Sequence, residues 1–101
     1  MYRQGDLLIQ KCDAVPGGVS EVGRIGGRLI LAEGEVTGHD HSVSEANAEM
    51  FSERDGVLYL RAPNGCDVVH QEHAAVTLSP GTYRIQRQQQ WHAGRSQRVL
   101  D

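Results

Sequence analysis

The stretch from Gly34 to Glu45 reads Gly-Glu-Val-Thr-Gly-His-Asp-His-Ser-Val-Ser-Glu and concentrates more chemistry than any other part of the chain. His39 and His41 lie two residues apart. In an extended backbone their side chains leave the same face, with α-carbons roughly 6.6 Å apart. Two imidazoles so placed can converge on one metal ion, each nitrogen about 2.0–2.1 Å from a zinc-like centre. Gly34 and Gly38 argue against a helix and suggest a strand that bends where the histidines begin. Glu45 shares the parity of His39 and His41, so an extended chain through Ser44 makes it a third candidate ligand.

His70 and His73 form a second pair, in His70-Gln71-Glu72-His73. In a regular strand they point to opposite faces, so both reach one metal only if a bend or bulge intervenes. Without one, a single histidine binds and the other hydrogen-bonds at the surface. His70 is the preferred ligand of the two because it continues the Val68-Val69 strand. The spare histidine or Glu72 can then orient a ligand through its free ring nitrogen. Three or four imidazoles and a carboxylate suit a divalent transition metal: zinc, iron, nickel, copper or manganese. Three protein ligands leave an open position for catalysis, and four close the site. There is no Gly-x-Ser-x-Gly elbow and no Walker-type loop to compete with this reading.

The elements that must position these residues are short strands. Leu7 to Ile9 begins the first. Ala14 to Gly27 is too glycine-rich for a helix and holds at most a short strand at Val19 to Val22. Arg28 to Ala32 is a compact apolar run that feeds the histidine stretch and reads as the central strand. Ser42 to Phe51 fits either a short helix opened by a Ser42/Glu45 capping box or, as preferred here, an extended segment. Val57 to Ala62, the Pro63-Asn64-Gly65 turn and Cys66 to His70 read as a hairpin, followed by strands at Ala74 to Leu78 and Thr82 to Gln86. The resulting expectation is an all-β, single-domain antiparallel β-barrel or sandwich over residues 1–92, with at most one short helix. Trp91 is expected to cover one end, and residues 93–101 to form a C-terminal arm or tail.

The 101 residues suffice for one modest core. A net charge of -3 and a pI near 5.9 do not favour nucleic acid. That partner would need Arg84, Arg87, Arg95 and Arg98 on one face beside Trp91. The chain opens on polar residues and holds no membrane span, which gives the expectation of a cytoplasmic protein with Cys12 and Cys66 reduced. A disulfide requires that their strands be neighbours.

The spacing Gly-x4-His-x-His-x3-Glu resembles the first signature of the cupins, one residue short before the first histidine. The resemblance implies His39, His41 and Glu45 as ligands of one metal, completed by a histidine of a second motif. In cupins that histidine follows a Pro-x-Gly turn, whereas here Pro80-Gly81 has none after it and the candidates, His70 and His73, lie upstream. The chain also resembles short uncharacterised bacterial and phage proteins that begin Tyr-Arg-Gln-Gly-Asp and carry Gly-Glu-Val-Thr-Gly-His-x-His. Two functions fit. One is a cupin-like metal protein, with the metal as Lewis acid or activator of water or dioxygen on a small-molecule substrate. The other is a non-catalytic interaction module of a bacterial or phage system with a structural metal or none. A homodimer through edge strands suits either.

Overall fold

The computed structural model describes residues 1–34, 38–92 and 95–98, with side chains through Gln88. The described chain is all-β. Its strands are β1 (Tyr2–Gln4), β2 (Leu7–Cys12), β3 (Ser20–Val22), β4 (Leu29–Glu33), β5 (Asp40–Val43), β6 (Glu49–Ser52), β7 (Leu58–Ala62), β8 (Cys66–Val68), β9 (Val76–Leu78), β10 (Gly81–Arg87), β11 (Gln89–His92) and β12 (Arg95–Arg98). One layer is a six-stranded antiparallel sheet in the order β1-β2-β10-β7-β6-β3. Across the core lie the pairs β4-β5 and β8-β9. The latter two pairs are joined by reciprocal backbone hydrogen bonds between Ser42 and Val69, at 3.0 and 2.9 Å. Among the described residues the sheet does not close on itself, so of the two expected architectures the sandwich is the one present.

Period-two alternation builds the core. Leu7 and Ile9 of β2, Leu60 of β7, and Tyr83 and Ile85 of β10 all turn inward. Register aligns Ile9 with Ile85 and lines up Tyr83, Leu60 and Met50 across three strands. Leu29, Leu31, Val43, Val68 and Leu78 meet them from the opposite layer in one apolar cluster. Each such side chain contributes roughly 1.5–3 kcal/mol by leaving water. Tyr83 is fully buried, and its hydroxyl donates to the Ser79 carbonyl at 2.8 Å, so it carries no unmet polar group.

Three features differ from expectation. Arg28 to Ala32 is not central: β4 pairs only with β5, and the middle of the large sheet is β2, β10 and β7. An apolar run buried by a facing layer reads the same as one buried by strands on both sides. Second, β1 escapes sequence detection because Tyr-Arg-Gln has no apolar period, yet it pairs antiparallel with β2. Third, β12 pairs with β11 where an arm was expected, again through a polar sequence. The reading of Trp91 as a cover and of Arg95 and Arg98 as a basic face falls on side chains outside the described residues. Among the described residues no helix is long and apolar enough to cross a membrane.

Candidate functional site

The β4-β5 connection delivers His39 just before β5 and His41 within it. A bulge in β4, where the register shifts between Ile30 and Ala32, sets Ala32 opposite His41. His41 faces the interior on the same side as Val43 and is fully buried. After β8 the chain does not continue as a strand through His73. It bends at residues 71–73, which supplies the change of direction that a joint site demands. The four rings meet as a result: His41 and His70 have centroids 4.5 Å apart, His70 and His73 4.5 Å, His39 and His70 5.5 Å, and His41 and His73 6.2 Å.

The polar groups around His41 fix its chemistry. Gln4 sits at the end of β1, and its Nε2 donates to the carbonyls of Val68 and Ala74, both at 2.9 Å. That commits its Oε1 to accept, and His41 Nδ1 lies 2.7 Å away as the donor. In a neutral ring the lone pair then sits on Nε2. Facing it at 3.7 Å is Oδ1 of Asp6, a carboxylate with no exposed side-chain surface. Arg87, at the end of β10, donates from Nε to Asp6 Oδ2 at 2.8 Å. This buried ion pair offsets the cost of removing Asp6 from water.

The other histidines differ in role. His39 Nδ1 lies 2.9 Å from Glu72 Oε1, a carboxylate-imidazole arrangement that favours a proton on Nδ1 and a lone pair on Nε2. His70 Nδ1 accepts the backbone N–H groups of Glu72 and His73, at 3.0 and 3.2 Å. Its neutral ring therefore carries the proton on Nε2, and in this arrangement His70 shapes the loop that bears it. His73 is exposed. Glu45 is not brought into the cluster. Strand β5 ends at Val43, a turn closed by Ala48 N–H to the Glu45 carbonyl follows, and Oε2 of Glu45 accepts the Asp67 N–H at 2.8 Å. The extended reading of 42–51 thus describes the backbone except at this turn, which breaks the parity that would have aligned Glu45 with His41.

Asp40 points away from the histidines, as strand parity requires, and is held by both terminal nitrogens of Arg28, at 2.8 and 3.1 Å. The Arg28 guanidinium lowers the Asp40 carboxyl below the usual carboxylate range. Arg84 and Arg87 do not share a face. Arg87 turns in to Asp6, while Arg84 donates to Gln86 Oε1 at 2.6 Å.

Gln4, Asp6 and Arg87 are the members that sequence reasoning missed. The available signal was a set of polar residues flanking apolar strands, Gln4-Gly5-Asp6 before β2 and Arg87 after Ile85, but it does not announce inward orientation. Among the described residues no three His, Cys, Asp or Glu side chains already stand arranged to hold a metal ion. Donor chemistry nevertheless fits one: two donors each about 2.0–2.2 Å from a single ion lie at most about 4.4 Å apart. The His41 Nε2 to Asp6 Oδ1 separation is inside that limit.

Residues 3–88 match a family model described as a domain of unknown function, DUF8820. The chain belongs to this family. The span matched to DUF8820 holds Gln4, Asp6, all four clustered histidines and Arg87, and it ends before β11. No curated protein and no solved structure matches the chain.

Proposed function

We propose that this protein is a cupin-like metal-binding protein that holds one divalent transition metal at the histidine cluster. The observation that carries this reading is His41, wholly buried, its Nδ1 committed to Gln4 and its Nε2 turned to the buried carboxylate of Asp6. A cation is what such a lone pair and carboxylate hold in common. His41 and Asp6 form the inner part of the ligand set, and His39, with its Nδ1 against Glu72, is the next donor. His73 completes the set by turning its exposed ring. His70 joins only if Nδ1 releases the two N–H groups it accepts. Glu45 gives up the ligand role that the cupin spacing implied. A bound metal supplies Lewis acidity toward a small substrate. The chain's residues orient the ligands, and the apolar layers around His41 exclude water.

Elemental analysis of protein purified without a histidine tag tests this. Near-stoichiometric metal is expected, lost in the His39→Ala, His41→Ala double variant and in Asp6→Asn, and retained in Glu45→Gln. Metal-free parent protein whose melting temperature ignores added zinc, iron and nickel overturns the reading. A second reading, an interaction module in the cytoplasm of a bacterial or phage system acting as a homodimer, draws support from the lack of a preassembled three-donor set among the described residues. There the histidines only staple the loop of residues 69–75 to β5.

A further inference from the structure

We propose that the cavity beside Arg87 binds a small monocarboxylate with an apolar body, and that this ligand is the substrate class of the adjoining metal site. The cavity, about 470 Å³, opens between the two layers. Leu7, Leu58 and Ile85 of the large sheet and Leu31 of β4 line it, with Glu33 and Arg87 also in its wall. Its size falls within the range of small-molecule sites, and apolar walls with one cation are the usual composition of a site for an amphiphilic anion. Arg87 follows Tyr83 and Ile85 on the inward parity of β10, so an arginine occupies a position that the strand's pattern reserves for the core. Only its Nε is needed for Asp6. A guanidinium is a planar fork of five donors, matched to a carboxylate. A single arginine with Glu33 and Asp6 nearby favours one negative charge over the two of a phosphate monoester.

The same arginine connects the cavity to the histidines. Asp6 accepts from Arg87 with Oδ2 and faces His41 Nε2 with Oδ1. On the metal reading above, on which this coupling rests, an ion at Asp6 and His41 draws the carboxylate's charge toward itself. Arg87 is then less neutralised and attracts an anion more strongly. Metal and carboxylate therefore reinforce each other's binding, reciprocally.

The test is titration of the full chain with sodium hexanoate and with 1-hexanol, followed by amide chemical shifts, on protein treated with chelator and on protein loaded with zinc. Hexanoate should bind saturably and perturb Leu31, Leu58, Ile85 and Arg87, with 1-hexanol about tenfold weaker for want of the charge-assisted pair. Zinc should tighten hexanoate about fivefold. Arg87→Gln should abolish the preference for the anion. Glu33→Gln, at an exposed position, should tighten hexanoate about two- to threefold by removing a like charge. A gain of that kind cannot come from a damaged fold. Equal binding of hexanoate and hexanol, shifts that map elsewhere, or no gain in Glu33→Gln overturns the proposal. Zinc bound without any hexanoate binding sinks this proposal and leaves the metal reading standing. Hexanoate bound through Arg87 by a protein that takes no zinc supports the cavity and removes both the coupling and the metal reading.

Discussion

Cys66 is buried in the apolar cluster next to the Glu45 and Asp67 carboxylates. Burial first, then those two charges, pushes its thiol up to about 12 from 9.0. The folded state thus keeps a proton that the unfolded chain releases. This contribution to stability is intact below pH 9.0 and is lost as pH rises toward about 12. Urea unfolding at several pH values should show stability falling in that window by up to about 1.4 kcal/mol per pH unit. Cys66→Ala should remove that part of the slope, and an unchanged slope would refute the assignment. Native Cys66 should likewise resist thiol reagents at pH 8 until urea unfolds the chain. Chemistry of this kind is only half visible in a sequence. The histidines announce themselves by type and spacing, whereas Asp6 gains its meaning from Arg87, 81 positions away. Nothing local marks Asp6 as buried. Glu45 shows the converse, a residue whose spacing matched a signature while a four-residue turn took its carboxylate to Asp67.

Between elements, the turn from β7 to β8 is the most constrained. Gly65 has φ of 77°, and a Cβ there would lie 2.6 Å from the Leu78 carbonyl oxygen of the paired strand β9. Gly18 has φ of 79° with nothing within 4 Å of such a Cβ. Gly65→Ala should cost about 2–4 kcal/mol in urea unfolding, through both left-handed strain and backbone displacement, and Gly18→Ala about 1 kcal/mol through strain alone. Equal losses would mean that β9 moves aside freely. The Asn64-Gly65 turn was readable because its residue types suit positive φ. So were β7, β9 and β10, whose β-branched and aromatic residues lie between turn signals. The rank of β4 was not, because strand neighbours are set by tertiary pairing that an isolated apolar run does not encode.

Over the whole molecule, the all-β class was legible because turn-forming residues interrupt every candidate helix, while the choice between barrel and sandwich depends on closure of the large sheet. The cluster ties the β1-β2 turn, β5 and the loop after β8, segments dispersed along the chain. A metal held there stabilises only the folded state. At a free concentration 100 times its dissociation constant it should add about 2.7 kcal/mol, raising the melting temperature of a chain this size by roughly 10–20 °C. Calorimetry with and without zinc, repeated on Asp6→Asn, measures it. Stoichiometric zinc with no thermal shift would locate the metal on one local segment instead. The Gln4 amide has a final consequence. By donating to both Val68 and Ala74 it pins the two ends of a short excursion to one point of β1. The residues between those ends, His70, Glu72 and His73 among them, hang from a clasp one side chain wide and carry none of the apolar cluster. The scaffold and its reactive loop are thereby separable. The excursion is an exchangeable cassette, rewritable in evolution or at the bench without asking the sheets to be rebuilt.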